Sequence, residues 1–499
     1  MTDTASDKTR TPSREESHPY EVVTFSHDDP DDPKNWSKTE KLWTLLGVSG
    51  FAFIAVFGSS SYAPGQVQIE RIYNVGEDTA TSGLTVYVLG FGLGPLLFRL
   101  LTGICAACPL SNGAGVPADL YPNNLLDLAR ATGLFAFCAL SGPCFGSLIG
   151  FFVAAHSGDT LWVIRLHFFM SAAAFPFIFL IPETYGPTIL EHRAQKMRKA
   201  GKTNARAMTE IHAKTPMQVV QGHVVRPLAM IVREPIAQGA ALWISLAYGI
   251  IYYFFETYPV VFIEQHGIDF QLCGLMFLGI AIGMAIAVIP YPYILHMSQK
   301  VHIPIIERRT HPTPPQENSL KVVVSAVILM PVSLFWFAWS SGHEVYWLSA
   351  ALAGIPFGYA TVIIFFAFVS YLTHTYGVYA TSAQSANSFV RSIVASVFPI
   401  AANSINRELG TKWGMSMFGF ISLGLIPIPL VFIRYGPKFR ARSHYATEAR
   451  RAEGVTLDVE ESEGEKKDDV EAQQVQVVSD ASAPSASTVG EKTPEIPGQ

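Results

Sequence analysis

The chain has 499 residues, of which 49% are apolar and 15% are charged, and its formal net charge is -5. A soluble domain of this length needs far more charge to cover its surface. The composition therefore excludes an ordinary soluble enzyme or nucleic-acid-binding protein and indicates a polytopic membrane protein.

Ten apolar stretches are long enough to cross a bilayer as helices that rise about 1.5 Å per residue. Because Leu, Ile, Phe, Ala and Gly are mixed in them without the alternation of an outer-membrane strand, the sequence predicts an all-α membrane protein. The polar ends, residues 1–40 and 441–499, cannot bury enough apolar surface to fold and are predicted to be disordered. The apolar stretches are 42–62, 79–118, 131–154, 161–182, 237–262, 273–295, 322–341, 345–371, 378–401 and 413–433.

Lys and Arg indicate which way the spans run, because short loops rich in these residues stay in the cytoplasm. The loop 183–234 holds nine of them, and further groups precede the first span, follow the last span and occupy the loop 296–321. Ten spans place all four groups on one side of the membrane. The sequence therefore predicts cytoplasmic termini and a basic cytoplasmic linker, 183–234, between helical regions at 41–182 and 235–440.

Nine short motifs follow one another in an order typical of one transporter family. They are DDPKNWS (31–37), VLGFGLGPLL (88–97), PLSNGAGVPADLYP (109–122), SGPCFG (141–146), PETYGP (182–187), YYFFETYPVVF (252–262), SLFWFAW (333–339), GIPFG (354–358) and ANSFVRS (386–392). Over residues 28–440 the chain resembles the major facilitator superfamily, specifically its fungal drug:proton antiporter branch of polyamine and multidrug exporters.

That resemblance implies two six-helix bundles, a substrate site near the bilayer midplane, and alternating access by rocking of the bundles. It also implies proton-coupled efflux of small organic or cationic compounds across the plasma membrane. The expected partners are the small-molecule substrate, protons and the lipid bilayer, without a nucleic acid or a cofactor, and we expect a monomer.

The sequence departs from that family between its second and fourth spans. After GPLL the family continues into a basic cytoplasmic loop and a third span. Here Leu97 is followed directly by FRLLTGICAAC, which resembles the fourth span without its first residues. We therefore expect ten spans instead of twelve, a seam close to Phe98, and an incomplete amino-terminal bundle at 41–182. The Pro- and Gly-rich end of the stretch 79–118 predicts an irregular or short helical piece. Since the missing loop forms a latch between the bundles in this family, transport is expected to be weak or absent.

Glu256 is the only acid well inside a predicted span. Burial removes the hydration of a lone carboxylate, so this group could exchange a proton or pair with a cationic substrate, and the resemblance implies the same role. The alternative is a structural partnership with a buried base. Tyr253 and Tyr258 could form an aromatic cage for an ammonium group, although aromatic residues are also ordinary near a membrane interface.

Three further polar residues in or beside spans are candidates. Arg391 lies near the middle of its span and is expected to support the carboxyl-terminal bundle by pairing with Glu256, because their depths differ by about 6 Å at helical rise. Arg99, with Gly103, matches an RxxxG motif whose arginine the resemblance links to proton transfer, but a structural or snorkelling side chain is the favoured interpretation. Asn112 could line the pathway or cap the broken helix around it.

Gly142, Pro143, Gly146 and Gly150 resemble the antiporter signature of the fifth span. Small residues let helices approach closely and proline bends a helix, so these four residues are expected to be structural. No phosphate-binding, HExxH, GxSxG or tandem metal-ligand motif occurs, and the one CxxC motif has no second pair or histidine beside it. We therefore expect neither an enzyme nor a metal site. The alternative to a transporter is a non-transporting degenerate or regulatory membrane protein.

The gap has two candidate origins, a true deletion or a gene model that skips coding sequence. The second, or a recent lesion, is favoured because the rest of the chain fits a transporter. Sequencing the transcript across the codons for Leu97 and Phe98 distinguishes them. Skipped coding sequence predicts an extra stretch of about 45 to 60 residues, which is two spans with their loops. An uninterrupted junction in the transcript contradicts that origin.

Overall fold

The computed structural model describes residues 20–26, 28–98, 113, 115–121, 125–157, 161–211, 215–291, 293 and 315–451. These residues form sixteen α-helices, several short 3-10 and π-helical segments, and one pair of two-residue strands. The all-α architecture predicted from the sequence is confirmed.

The amino-terminal half contributes four of the long helices. Its first helix begins at a capping box, in which Ser37 Oγ accepts the Glu40 N–H at 3.2 Å and Glu40 Oε2 accepts the Ser37 N–H at 2.9 Å. In chain order the helices are α1 (Lys38–Ser61), α2 (Gln66–Tyr73), α3 (Glu77–Phe98), α4 (Val116–Leu120), α5 (Leu125–Ser157) and α6 (Leu161–Ala174), which a 3-10 segment at Phe175–Leu180 extends.

Six α-helices follow the linker in the described residues of the carboxyl-terminal half. The linker itself carries α7 (Gly186–Lys199), α8 (Met208–Ile211), α9 (Pro216–Val220), a π segment (Gln221–Val225) and α10 (Arg226–Arg233). The second half then follows as α11 (Pro235–Tyr258) with a π segment at Pro259–Gln265, α12 (Phe270–Val288), α13 (Pro315–Ser340), α14 (Trp347–Tyr376), α15 (Ala380–Leu425) and α16 (Pro427–Arg442).

Helix α15 is a hairpin of two helices that meet at Gly410. Gly410 has φ 70° and ψ 163°, a backbone conformation that favours glycine. The rings of Phe398 and Phe418 lie 5.2 Å apart although 20 residues separate them in sequence, so the chain turns back on itself. Within its described residues, this half therefore supplies six span-length helical segments.

Seven stretches of the described residues are long and apolar enough to cross a membrane, and the last of them, Trp347–Arg442, contains the turns at Gly377 and Gly410. That stretch accounts for three predicted spans, and α3 accounts for the predicted span that begins at residue 79. Residues 99–112, which include the rest of the expected seam, lie outside the described residues. The short helix α4 agrees with the broken piece expected near residue 117.

Residues 20–26 and 28–37 form an ordered segment, called here the amino-terminal strap, so the expectation of disorder for the whole of 1–40 was too broad. Its strand β1 (Glu21–Val22) pairs in parallel with β2 (Ala205–Arg206). Asp29 is 4% exposed and forms a bidentate ion pair with Arg193 of α7, which also contacts Asp31 at 2.7 Å. The strap folds because the basic linker neutralises its acids, a long-range contact that local composition does not report.

The second part of the linker packs on the carboxyl-terminal half instead. Ser382 Oγ of α15 donates to the Gly222 carbonyl at 3.1 Å, and the Arg226 guanidinium lies 4.5 Å from the centre of the Tyr379 ring. Residues 444–451 are helical and Ala446 is fully buried, so the expected disorder of 441–499 is wrong for this part as well. Residues 452–499 lie outside the described residues.

Asp119 of α4 is half-buried beside Thr184, whose Oγ1 donates to Asp119 Oδ2 at 3.4 Å. Burial raises the pKa of Asp119 from 3.8 to about 6, and the hydrogen bond from Thr184 opposes that shift. The folded protein therefore resists an ionisation that the unfolded chain undergoes freely, and stability falls as the pH rises from about 4 to about 6.

We expect Asp119→Asn to stabilise the protein above about pH 6 and to have no effect near pH 4, since asparagine removes the cost of the buried charge and still accepts from Thr184. The gain is on the order of 1 kcal/mol, because solvent screens a half-exposed group. Thermal unfolding of the purified protein between these pH values measures it. An equal gain at every pH would show that charge burial is not the cause.

Candidate functional site

The candidate site lies where the two halves of the protein meet. The linker, the start of α1 and the end of α16 share one end of the molecule, called here the linker end, and the opposite end is called the far end. At the far end Glu256 of α11 is half-buried, and its Oε1 accepts a hydrogen bond from Gln66 Nε2 at 3.1 Å. Gln66 begins α2 in the other half, so the bond joins the two halves.

A chain of three hydrogen bonds leads to this carboxylate. Asn403 Nδ2 of α15 donates to Thr81 Oγ1 of α3 at 3.3 Å, Thr81 Oγ1 donates to Gln66 Oε1 at 3.4 Å, and Gln66 donates to Glu256. Gln66, Thr81 and Asn403 are 5%, 0% and 6% exposed. Every donor points toward Glu256, so the chain ends on an acceptor that suits a carboxyl oxygen. We call these four residues the far-end chain.

Other contacts close the far end around that chain. Ser59 and Tyr252 share a hydrogen bond of 2.9 Å between α1 and α11, and Thr85 Oγ1 of α3 donates to the Ser396 carbonyl of α15 at 2.9 Å. Phe151 of α5 lies edge-on to Phe270, the first residue of α12, with ring centres 5.0 Å apart. The two halves are therefore in van der Waals contact and hydrogen-bonded at this end.

The structure does not gather the predicted aromatic cage around Glu256. Tyr253 turns into the carboxyl-terminal half, where its hydroxyl donates to Asn406 Oδ1 at 2.7 Å and its ring lies 4.9 Å from Phe418. Tyr258 is fully buried among the rings of Phe254, Phe262, Phe277 and Phe337, with centroid distances of 4.5 to 5.4 Å. Both tyrosines pack the interior of one bundle.

The predicted ion pair between Arg391 and Glu256 is absent from the described contacts. The Arg391 guanidinium instead lies 4.9 Å from the ring centre of Tyr248 and 5.4 Å from that of Phe365. Tyr248 precedes Glu256 by eight residues on α11, so the two charges differ in depth by about 12 Å. The depth prediction failed because sequence spacing does not report how α11 and α15 are offset along their axes.

The small residues of α5 bring it against α1. A Cβ added to Gly142 would lie 3.0 Å from the Phe53 carbonyl oxygen, and one added to Gly150 would lie 3.0 Å from that of Ser61. A Cβ on Gly146 would overlap the Ser60 hydroxyl. Pro143 lies inside the same helix. This close approach fits the structural role expected for the motif, whereas Arg99 and Asn112 lie outside the described residues.

Three members of the far-end chain were missed by sequence reasoning. Gln66, Thr81 and Asn403 are uncharged, and each lies at or beyond the end of an apolar stretch. A polar amide or hydroxyl close to a span end is a signal in principle, because lipid cannot satisfy its hydrogen bonds. The chain holds many such residues, and the pairing of these three depends on helix packing.

Comparison with known proteins gives the family. The sequence model of the Major Facilitator Superfamily matches residues 79–399. The chain belongs to this superfamily. It is 30% identical to the Major facilitator superfamily multidrug transporter mdrA of Aspergillus fumigatus, with 87% of this chain and 77% of that protein covered. It is also 30% identical to the MFS-type efflux pump MFS2 of Trichophyton rubrum (87% and 78% covered) and 29% identical to the efflux pump FUBT of Fusarium oxysporum (84% and 77%).

Membership of the Major Facilitator Superfamily makes this protein a multi-pass membrane transporter by family, of the branch that contains fungal efflux pumps. The alignment with mdrA is 477 residues long, yet it covers only 87% of this 499-residue chain. Such an alignment must contain positions at which only the relative has a residue. The relative therefore has residues that this chain lacks, which is what a missing segment requires.

We expect Gln66→Leu to loosen the far end, because it leaves Thr81 and Glu256 without their shared partner while keeping the side-chain volume. A buried polar group without a partner costs about 1 to 3 kcal/mol. The reporter is Ser396→Cys, since Ser396 is 4% exposed, its carbonyl accepts from Thr85 of α3, and its hydroxyl donates within α15 to the Ile393 carbonyl. A polar maleimide should label this cysteine several-fold faster, about fivefold or more, in the Gln66→Leu background.

The matched control is Gln265→Leu, because Gln265 donates to Thr411 Oγ1 at 3.3 Å within one half of the protein at the same end. This control should leave the labelling rate unchanged, and labelling of the parent without Ser396→Cys corrects for the native cysteines. Equal rates in the Gln66→Leu and wild-type backgrounds would show that the far-end chain does not hold the halves together.

Proposed function

We propose that this protein is a proton-coupled exporter of small organic compounds, that Glu256 carries the proton, and that the far-end chain is its extracellular gate. The observation that carries the proposal is a series of three hydrogen bonds between residues of both halves, which ends on the one acid that lies well inside a span. A monomer supplies all of these residues.

Sidedness supports the gate assignment. The nine Lys and Arg of the linker 183–234 favour the cytoplasm for the linker end, which gives cytoplasmic termini and puts the far end outside. In this arrangement the gate is closed to the outside. The efflux-pump relatives support the plasma membrane as the location.

Glu256 can couple the gate to protons through the cost of burying charge. Closing the far end removes water from the carboxyl group. This desolvation costs much free energy when the carboxylate is ionised and has no cation beside it, and little when the group is protonated. The protonated acid still accepts from Gln66 through its carbonyl oxygen. Proton uptake therefore favours closure to the outside, and loss of the proton favours opening.

The missing segment lowers the transport we expect. Four of the six amino-terminal helices of the superfamily correspond to α1, α3, α5 and α6 in the described residues. Of an 18-residue apolar part of Trp162–Leu180, 6% is buried, against 61% for Asp127–Ser157 in the same half. The last span of this half therefore has few packing contacts to hold it in either alternating position. A non-transporting, degenerate or regulatory membrane protein is the second candidate function on this observation.

The resemblance to exporters of drugs and polyamines suggests cationic substrates. A cation would need a carboxylate in the pathway, and Glu256 is the only acid well inside a span. Its described partner is Gln66, and Tyr253 and Tyr258 are turned away from it. These contacts favour proton handling over substrate binding for Glu256.

We expect Glu256→Gln to abolish proton-dependent efflux, by about tenfold or more, because glutamine accepts from Gln66 but cannot release a proton. Efflux of a fluorescent drug from cells that express the chain, with and without a protonophore, measures it. Glu264→Gln is the matched control, since Glu264 is exposed in the π segment, six residues beyond the end of α11. Protonophore-sensitive efflux by Glu256→Gln at the wild-type rate would contradict the role of Glu256.

The wild-type rate tests the proposal itself. Weak efflux above the empty vector is the expected result. Robust proton-dependent efflux would contradict the cost assigned to the missing segment, and no efflux from correctly inserted protein would favour the non-transporting alternative.

A further inference from the structure

Arg391 carries a charge in the middle of its span and has no counter-ion among the residues that the structure describes. Its described contacts are the faces of the Tyr248 and Phe365 rings, and its buried Nε has no hydrogen-bond acceptor among the described residues. No carboxylate of those residues lies within ion-pair distance of it. Aromatic faces offset part of the cost of a buried guanidinium but accept none of its hydrogen bonds.

The sequence cannot supply the counter-ion from the segment that the structure leaves undescribed in the amino-terminal half. No Asp or Glu occurs between Asp78 and Asp119. Glu256 is the only acid well inside a span, and it lies about 12 Å further toward the far end. No acid of the described residues or of that segment is therefore placed to pair with Arg391, and an anion from outside the chain can complete the site.

Arg391 lies beside the seam between the two halves, on the linker-end side of the far-end contacts. The Tyr248 hydroxyl is 3.4 Å from that of Tyr252, which is hydrogen-bonded to Ser59 of α1. Ser396, whose carbonyl accepts from α3, follows Arg391 by five residues toward the far end. Along α15, Arg391 therefore lies between the linker end and the closed contacts.

We propose that Arg391 binds the anionic group of the transported compound, and that the substrates are amphipathic organic anions with a carboxylate, sulfonate or phosphate on an aromatic or apolar body. The guanidinium offers two parallel N–H donors that match the oxygens of such a group. The rings of Tyr248 and Phe365 flank the guanidinium and provide apolar contact for the rest of the molecule. This inference rests on the proposed exporter function and assigns the substrate class of the same pathway.

The competing explanation is that Arg391 only holds α11, α14 and α15 together through the two rings. A purely structural arginine would affect all ligands alike and would show no preference for negative charge. Two probes with the same ring and opposite charge separate the explanations, namely 2-naphthoate and 2-naphthylmethylammonium.

The experiment measures binding of each probe to the purified full-length protein through the shift of its melting temperature. We expect 2-naphthoate to bind more tightly than the ammonium probe, and Arg391→Gln to weaken naphthoate binding about tenfold to a hundredfold, the usual worth of a hydrogen bond to a charged group. Arg391→Lys should bind 2-naphthoate with intermediate affinity, because lysine keeps the positive charge but lacks the two parallel N–H donors of the guanidinium. Excess chloride should compete only weakly, since it offers no apolar body.

Lys412→Gln is the matched control, because Lys412 also lies over an aromatic ring, 3.7 Å from the centre of Trp339. It is located at the far end of the molecule, two residues after the turn at Gly410. This variant should leave both affinities unchanged. If Arg391→Gln weakens both probes equally, weakens neither, or if wild type prefers the ammonium probe, the proposal is overturned. Chloride that displaces naphthoate at equal concentration would also overturn it, by showing a site for inorganic anions.

Two features keep the result interpretable. The melting temperature without ligand reports whether Arg391→Gln is folded. If it is not, the test uses the affinities of Arg391→Lys for the two probes. Binding requires no transport cycle, so naphthoate binding that depends on Arg391 can be observed even if no efflux occurs. Failure of the exporter function and failure of the substrate assignment therefore give different results.

Discussion

The structure depends on how polar groups are satisfied where water is excluded. In the far-end chain each of Asn403, Thr81 and Gln66 is buried and donates to the next residue, and the series ends on Glu256. These residues come from four separate elements and both halves of the protein, so the hydrogen bonds can be complete only while the halves are together. In a low-dielectric interior their loss is costly, which links the position of the halves to the state of one carboxyl group.

The fold could be predicted from the sequence because it follows from properties that are local along the chain. Apolar length gives the spans, and capping residues such as Ser37 give a helix start. The far-end partners of Glu256 could not be predicted, since they depend on the rotation and axial offset of helices that are distant in sequence. The predicted ion pair between Arg391 and Glu256 failed for the same reason, because the sequence does not report the axial offset between α15 and α11.

The amino-terminal strap shows a second limit of prediction from local composition. Residues 20–37 are polar, and composition alone predicts disorder. Asp29 is nevertheless buried because Arg193, 164 residues away, pairs with it, and the pKa of that carboxyl lies well below its ordinary value as a result. The first part of the linker is thereby fixed to the segment that leads into α1, while Gly222 and Arg226 fix the second part to α15.

The residues assigned to chemistry are unevenly divided between the halves. Glu256, Arg391, Tyr248 and Phe365 all belong to α11, α14 and α15, in the half that has six span-length segments. The amino-terminal half contributes Gln66 and Thr81, which form hydrogen bonds to Glu256 and to each other. Loss of a segment from that half therefore affects the exchange between alternating positions more than the recognition of a substrate. A chain of this kind can keep its binding site and still cycle poorly, because binding needs one complete half and transport needs two.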